Sequence, residues 1–153
     1  MADIPIRAFL AALVAIRRSG AGWEVLLLRR TRPPAGTWCQ ISGSIETGET
    51  AWQAALRELW EETGLTPSAL YSADICEQFY EAGRDAITLA PVFVAVCDAS
   101  APVSLNDEHS DHRWVGFDDA VEMVSFGGQR RVLRWVEAEF IQRTPSEHLR
   151  IAF

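Results

Sequence analysis

Glu58, Glu61 and Glu62 would fall within an arc of about 100° if the chain around them is helical. Packing gives no reason to crowd three carboxylates there, because like charges at this spacing cost a helix a few tenths of a kcal/mol. A hard divalent cation resolves the repulsion, since Mg²⁺ takes oxygen ligands and keeps some of its waters for substrate phosphates. Such a cation would also neutralise the charge on phosphate oxygens held against it. Arg57 lies four residues before Glu61 and beside Glu58, where it can orient one of these carboxylates.

The helix that must hold them can be read from its ends. Thr50 is a good N-cap with Gln53 three residues on, a capping box. Gly64 follows the last periodic residue and Pro67 comes soon after, a C-terminal stop. Trp52, Leu56, Leu59 and Thr63 cluster opposite the acidic arc and are expected to face the core. Ala51, Ala54 and Ala55 extend the acidic stripe toward the N-terminus, small enough for the loop at Gly43 to approach closely.

The full spacing is more specific than the helix. It reads Gly43, five residues, Glu49, seven residues, Arg57-Glu58, Leu59, any residue, Glu61-Glu62, any residue, Gly64, Leu65. This resembles the Nudix box, the signature of a superfamily that hydrolyses a nucleoside diphosphate linked to another group. The resemblance implies an α/β/α sandwich with a mixed sheet between helices, and Mg²⁺ as cofactor with Mn²⁺ able to substitute. It implies Glu58, Glu61, Glu62 and the carbonyl of Gly43 as metal ligands, with Glu58 as ligand or base. It also pairs Arg57 with Glu49 to hold the loop against the helix.

At 153 residues the chain has room for one core, so a single domain over residues 1–153 is expected. Its net charge of −7 argues against holding a nucleic-acid backbone by bulk attraction. The apolar runs are too short to span a membrane, and MADIPIRAF has no pattern of a secretion signal. Cys39, Cys76 and Cys97 are odd in number and widely spaced, which suits free thiols in a reducing cytoplasm. All 14 basic residues are Arg, so a phosphate clamp must be built from Arg and a catalytic lysine is excluded.

Elsewhere the pattern alternates strands and helices. Ala8–Arg17 and Glu24–Arg30 predict an antiparallel hairpin across Ser19-Gly20-Ala21-Gly22. A short extended piece over Trp38–Ile41 leads into the Gly43 loop. Leu70–Glu81 and Asp85–Ala99 predict a second hairpin, Arg113–Val115 a short strand, and Phe117–Val124 and Gly128–Arg143 amphipathic helices. The last of these puts Val132, Trp135, Val136 and Phe140 on one side. Strands and helices in this order fit a mixed α+β sheet packed between helices.

A second acidic element, Asn106-Asp107-Glu108-His109-Ser110-Asp111-His112-Arg113-Trp114, reads from the residues alone as a polar loop. Several Nudix subfamilies carry Glu-His before an Arg/Lys-Trp strand, and this resemblance makes Glu108 a candidate metal ligand or general base. His109 and His112 could titrate near neutral pH, but loop histidines are more often incidental. Arg29 and Arg30 are candidate phosphate donors, and strand alternation turns only one of them toward a given face. Trp38 is a candidate base-stacking residue; with Phe79 and Tyr80 it could equally be core.

Trp38 followed by Cys-Gln-Ile-Ser-Gly-Ser-Ile-Glu is similar to the lead-in of the dihydroneopterin triphosphate and dATP pyrophosphohydrolase group. The chain departs from that group in its compact turn Ala82–Arg84. Diadenosine polyphosphate hydrolases share the Glu-His and Arg-Trp features, but Ser42-Gly43-Ser44 stands where they carry Lys-Gly-His. The resemblance therefore implies a hydrolase that cuts a nucleoside triphosphate or related small nucleotide into a monophosphate and pyrophosphate. A dinucleoside polyphosphate hydrolase and a non-catalytic nucleotide sensor are the alternatives. Family members are often homodimers, so the resemblance allows one here.

Overall fold

The computed structural model describes residues 1–20 and 22–153, and Ala21 of the expected first turn lies outside them. The sheet is organised around β2 (Leu10–Ser19), whose residues Ala11 to Ile16 are all buried. A strand covered on both faces reads as a continuous apolar run rather than an alternation. On one edge β2 pairs in parallel with β7 (Ala86–Val96), from Ala12 opposite Val92 to Ile16 opposite Val96. Its other edge is shared: β5 (Ile41–Ser44) takes the first half and β3 (Gly22–Arg30) the second, both antiparallel.

Beyond β3 lie β8 (His109–Val115) and β4 (Trp38–Cys39). Beyond β7, the hairpin partner β6 (Ala69–Glu81) runs antiparallel and carries β9 (Arg150–Ile151) at the edge. The two-residue β1 (Ile6–Arg7) joins β7 in parallel. Among the described residues these nine strands form one mixed sheet.

Alternation along β2 and β3 divides the core into two layers. Ala11, Leu13, Ala15, Leu26 and Leu28 face α1 (Ala51–Thr63), meeting Ala54, Ala55 and Leu59. Ala12, Val14, Ile16, Val25 and Leu27 face the opposite way, toward α2 (Phe117–Met123) and α3 (Gly127–Val136). The result is the expected α/β/α sandwich with a mixed sheet between helices.

Helix α1 starts and stops where its capping residues say. Gln53 N–H donates to Thr50 Oγ1 at 3.3 Å, and Thr50 N–H donates to Gln53 Oε1 at 2.8 Å. Gly64 adopts φ 71° and its N–H donates to Trp60 O at 2.8 Å, the left-handed cap that glycine accepts without strain.

Three expectations need correction. The buried face of α1 is broader than a Trp52–Thr63 stripe: it takes in Ala54, Ala55 and Glu62, while Trp52 and Leu56 are only half-buried. The last helix ends at Val136 and continues as a π-type turn over Glu137–Ile141, short of Arg143. Strand β8 begins at His109 rather than Arg113, because backbone pairing to β3 orders a segment whose polar side chains resemble a loop. No helix among the described residues is long and apolar enough to cross a membrane.

Candidate active site

Strand β5 delivers Gly43 directly onto α1. A Cβ at Gly43 would lie 2.0 Å from Glu58 Cδ and Oε1, so no side chain fits while Glu58 stays in place. The close approach is possible because Ala54 and Ala55 on α1 are small and fully buried against the sheet.

Arg57 ties the loop and the helix together. Its Nε and Nη2 donate to the two Glu49 oxygens at 3.2 and 2.6 Å, a bidentate fork that fits a carboxylate. Nη2 also donates to Ser44 O at 2.9 Å, which reaches the β5 backbone. Nη1 donates to Glu58 Oε1 at 2.7 Å and to Glu61 Oε2 at 3.3 Å. Glu49 closes its own turn by accepting the Glu46 N–H at 2.8 Å. The Arg57 hydrogen bond draws the Glu49 carboxyl below its ordinary range. Burial raises that of Glu58, with Arg57 opposing.

Glu62 differs most from an ordinary surface glutamate. It is 3% exposed, and its Oε2 has no hydrogen-bond partner among the described residues. Burial first, then the charges of Glu58 and Glu108, push its carboxyl up to about 9. Glu61, by contrast, is half-exposed. Glu108 enters from the segment before β8, with Oε1 accepting from Arg32 Nη1 at 3.2 Å. Its backbone is fixed as well, since Thr31 N–H donates to Glu108 O at 3.0 Å.

Gly43, Glu62 and Glu108 line one cavity of about 310 Å³, together with Arg30, Arg32, Arg84, Phe9 and His109. Of the paired arginines only Arg30 faces it. Arg29 is exposed, turns away by alternation and donates to Gly36 O at 3.4 Å. His109 is buried in β8 rather than a loop residue, and burial lowers its pKa.

A second cavity of about 410 Å³ adjoins the first, sharing Leu10, Arg30, Cys39, Gln40 and Ser42 with it. Trp38, Phe79, Tyr80 and Phe126 supply aromatic surface there. Trp38 therefore lies at a cavity wall, with the Arg113 guanidinium 5.0 Å from its ring centroid. Phe126, Gln40, Glu77, Arg32 and Arg84 were not singled out by sequence. Gln40 lies between β4 and β5, flanked by Cys39 and Ile41, and is buried.

The residues present suit a hard divalent cation by charge and donor type. Glu62 has an orphaned buried oxygen, and its pKa is raised first by burial and then by the charges of Glu58 and Glu108, which a cation would offset. As they stand, no three such side chains among the described residues are grouped tightly enough to hold an ion. Arg57 holds Glu58 and Glu61, and Arg32 holds Glu108.

The NUDIX domain family model matches residues 8–136, most of the chain and all of the acidic helix. The chain belongs to the NUDIX family. It is similar to the asymmetrical bis(5′-nucleosyl)-tetraphosphatase of Caenorhabditis elegans, 31% identical over 126 residues, 81% of this chain and 90% of that protein. A crystal structure of a C. elegans Ap4A hydrolase binary complex superposes with a TM-score of 0.74 at 28% identity, covering 84% of this chain and 94% of the other. The Escherichia coli dihydroneopterin triphosphate pyrophosphohydrolase shares the fold, with a TM-score of 0.70 at 22% identity over 92% of this chain and 100% of that one. As a Nudix hydrolase this protein acts on phosphoanhydride bonds of small nucleotides, and such hydrolases generally use divalent metal ions.

Proposed function

We propose that this Nudix hydrolase is a Mg²⁺-dependent pyrophosphohydrolase of a nucleoside triphosphate or closely related nucleotide, acting as one domain over residues 1–153. The observation that carries the reading is the pair of adjoining cavities. One is acidic and arginine-edged, the other aromatic, and Arg30 belongs to both. Polyphosphate and base of a single nucleotide suit such a division, and both volumes lie near the lower range of small-molecule sites.

Glu58, Glu61, Glu62, Glu108 and the Gly43 carbonyl are the residues that would hold the metal. Bound there, Mg²⁺ supplies charge neutralisation on the phosphate oxygens. Glu108 accepts the proton of the water that attacks a phosphorus of the α,β-anhydride, and the bond from that phosphorus to the bridging oxygen breaks to release monophosphate and pyrophosphate. Arg57 does not touch substrate; it positions Glu58 and fixes the Gly43 strand through Ser44 O. Arg30 offers its guanidinium to the phosphates from the shared wall, where its Nε is buried without a partner among the described residues.

Similarity to the tetraphosphatase supports a second reading, off-centre cleavage of a dinucleoside tetraphosphate. A panel of both compound classes with Mg²⁺ and with Mn²⁺, analysed by product, separates the two. Triphosphates should yield monophosphate and pyrophosphate under the first reading. A tetraphosphate turned over faster, into a triphosphate and a monophosphate, favours the second. Tight nucleotide binding with no turnover of any compound overturns both and points to a sensor.

A further inference from the structure

We infer that Glu77 reads the base of the nucleotide, selecting a ring that offers two adjacent N–H donors, the N1–H and 2-amino group of guanine. The inference rests on the reading of the aromatic cavity as the base compartment. Glu77 lies on β6 in the wall of that cavity, beside Gln40 of the shared wall, and does not line the acidic cavity. Among the described residues its carboxylate has one hydrogen bond, from Gln40 Nε2 to Oε2 at 2.9 Å, and no ion pair.

Gln40 is 4% exposed and so is a fixed support for Glu77 rather than a mobile surface group. The first turn of α3 closes the other side, where Gly128 leaves the Glu77 Cγ 3.7 Å from the position of a Cβ. Burial raises the Glu77 carboxyl above its ordinary range, with the Gln40 amide and the Arg131 guanidinium opposing.

An ionised carboxylate only accepts hydrogen bonds and has about four lone-pair positions. Gln40 fills one of them, so a flat ligand in the cavity that Trp38 and Phe126 line meets a pair of oxygens that demand donors. Adenine presents an alternating acceptor and donor on its pairing edge, as does cytosine. Uracil presents one N–H flanked by two carbonyls. Guanine alone among the common bases sets two N–H groups side by side, spaced to meet both carboxylate oxygens.

The test measures binding apart from turnover, by calorimetric titration of the full chain with GMP, IMP and AMP. IMP keeps N1–H and lacks the 2-amino group. One lost hydrogen bond to a charged acceptor should weaken IMP roughly tenfold relative to GMP, and AMP roughly a hundredfold. In Glu77→Gln, with an unchanged far-ultraviolet circular dichroism spectrum, the GMP-to-AMP ratio should shrink to within about threefold. Equal affinities in the unaltered protein, no measurable binding of any of the three, or a ratio that survives Glu77→Gln would each overturn the assignment. Guanine preference in binding without hydrolysis of any triphosphate would instead overturn the catalytic reading and leave this one standing.

Discussion

Gly43→Ala puts one methyl group where the geometry leaves no room for it. The new Cβ would sit 2.0 Å from Glu58 Cδ and Oε1 and 2.6 Å from Cγ. Ordinary contact begins near 3.4 Å, so the Glu58 side chain has to retreat by at least about 1.4 Å. It cannot do so freely, because Arg57 Nη1 holds Oε1 at 2.7 Å and Arg57 is itself forked onto Glu49. Overpacking of this kind costs about 1–3 kcal/mol. In a domain of this size that lowers Tm by roughly 2–4 °C per kcal/mol. The larger effect is expected in turnover, since displacing a functional group by about 1 Å can cost roughly a hundredfold in rate. Gly83→Ala is the control, because a Cβ there meets nothing within 4 Å. Thermal melts and Mg²⁺-dependent phosphate release on the two variants decide the matter. Turnover in Gly43→Ala within twofold of the unaltered protein would refute the claim that the Gly43–Glu58 contact is part of the working site.

Glu62→Gln should remove a pH dependence of stability in the chelator-treated protein. The folded carboxyl holds its proton to about 9, against an ordinary 4.5, so stability falls as pH rises between those values. The loss amounts to about 3 kcal/mol by pH 7, and denaturant melts from pH 5 to 8 should show a flatter profile in the variant. Mg²⁺ should raise the Tm of the unaltered protein and do so much less in Glu62→Gln; an equal rise in both would separate Glu62 from the metal. Glu108→Gln should lower kcat by orders of magnitude with unchanged folding, and near-normal kcat would remove it from the mechanism. Arg30→Ala should raise KM at least tenfold while Arg29→Ala changes it less than twofold, a contrast that steady-state kinetics can read directly.

Local signals made α1 legible. Thr50, Gln53 and Gly64 act on backbone groups within a few residues, so their effect does not depend on the rest of the fold. The Arg57–Glu49 fork was legible too, as a spacing whose partner is one loop away. The burial of Glu62 was not, since a helical wheel shows which residues share a side but not how deep that side is packed. The β8 boundary failed for a related reason. His109 to His112 are poor advertisers of a strand, and β3 supplies the order through backbone pairing. Gln40 and Glu77 are 37 residues apart and meet only because β4 and β6 converge on one cavity, a fact of topology that no local pattern encodes.

The two adjoining cavities draw on different parts of the chain. Apart from the shared wall, the aromatic one draws on Trp38, on Glu77, Phe79 and Tyr80 of β6 and on Phe126, Gly128 and Gln129 among others, and no residue of α1 lines it. The acid-bearing helix is anchored through Glu49, Ser44 and the opposite layer of the core. Taste and teeth are thus mounted separately: a variant library confined to residues 38, 77, 79, 80, 126 and 129 can explore new bases without loosening the helix that carries the carboxylates.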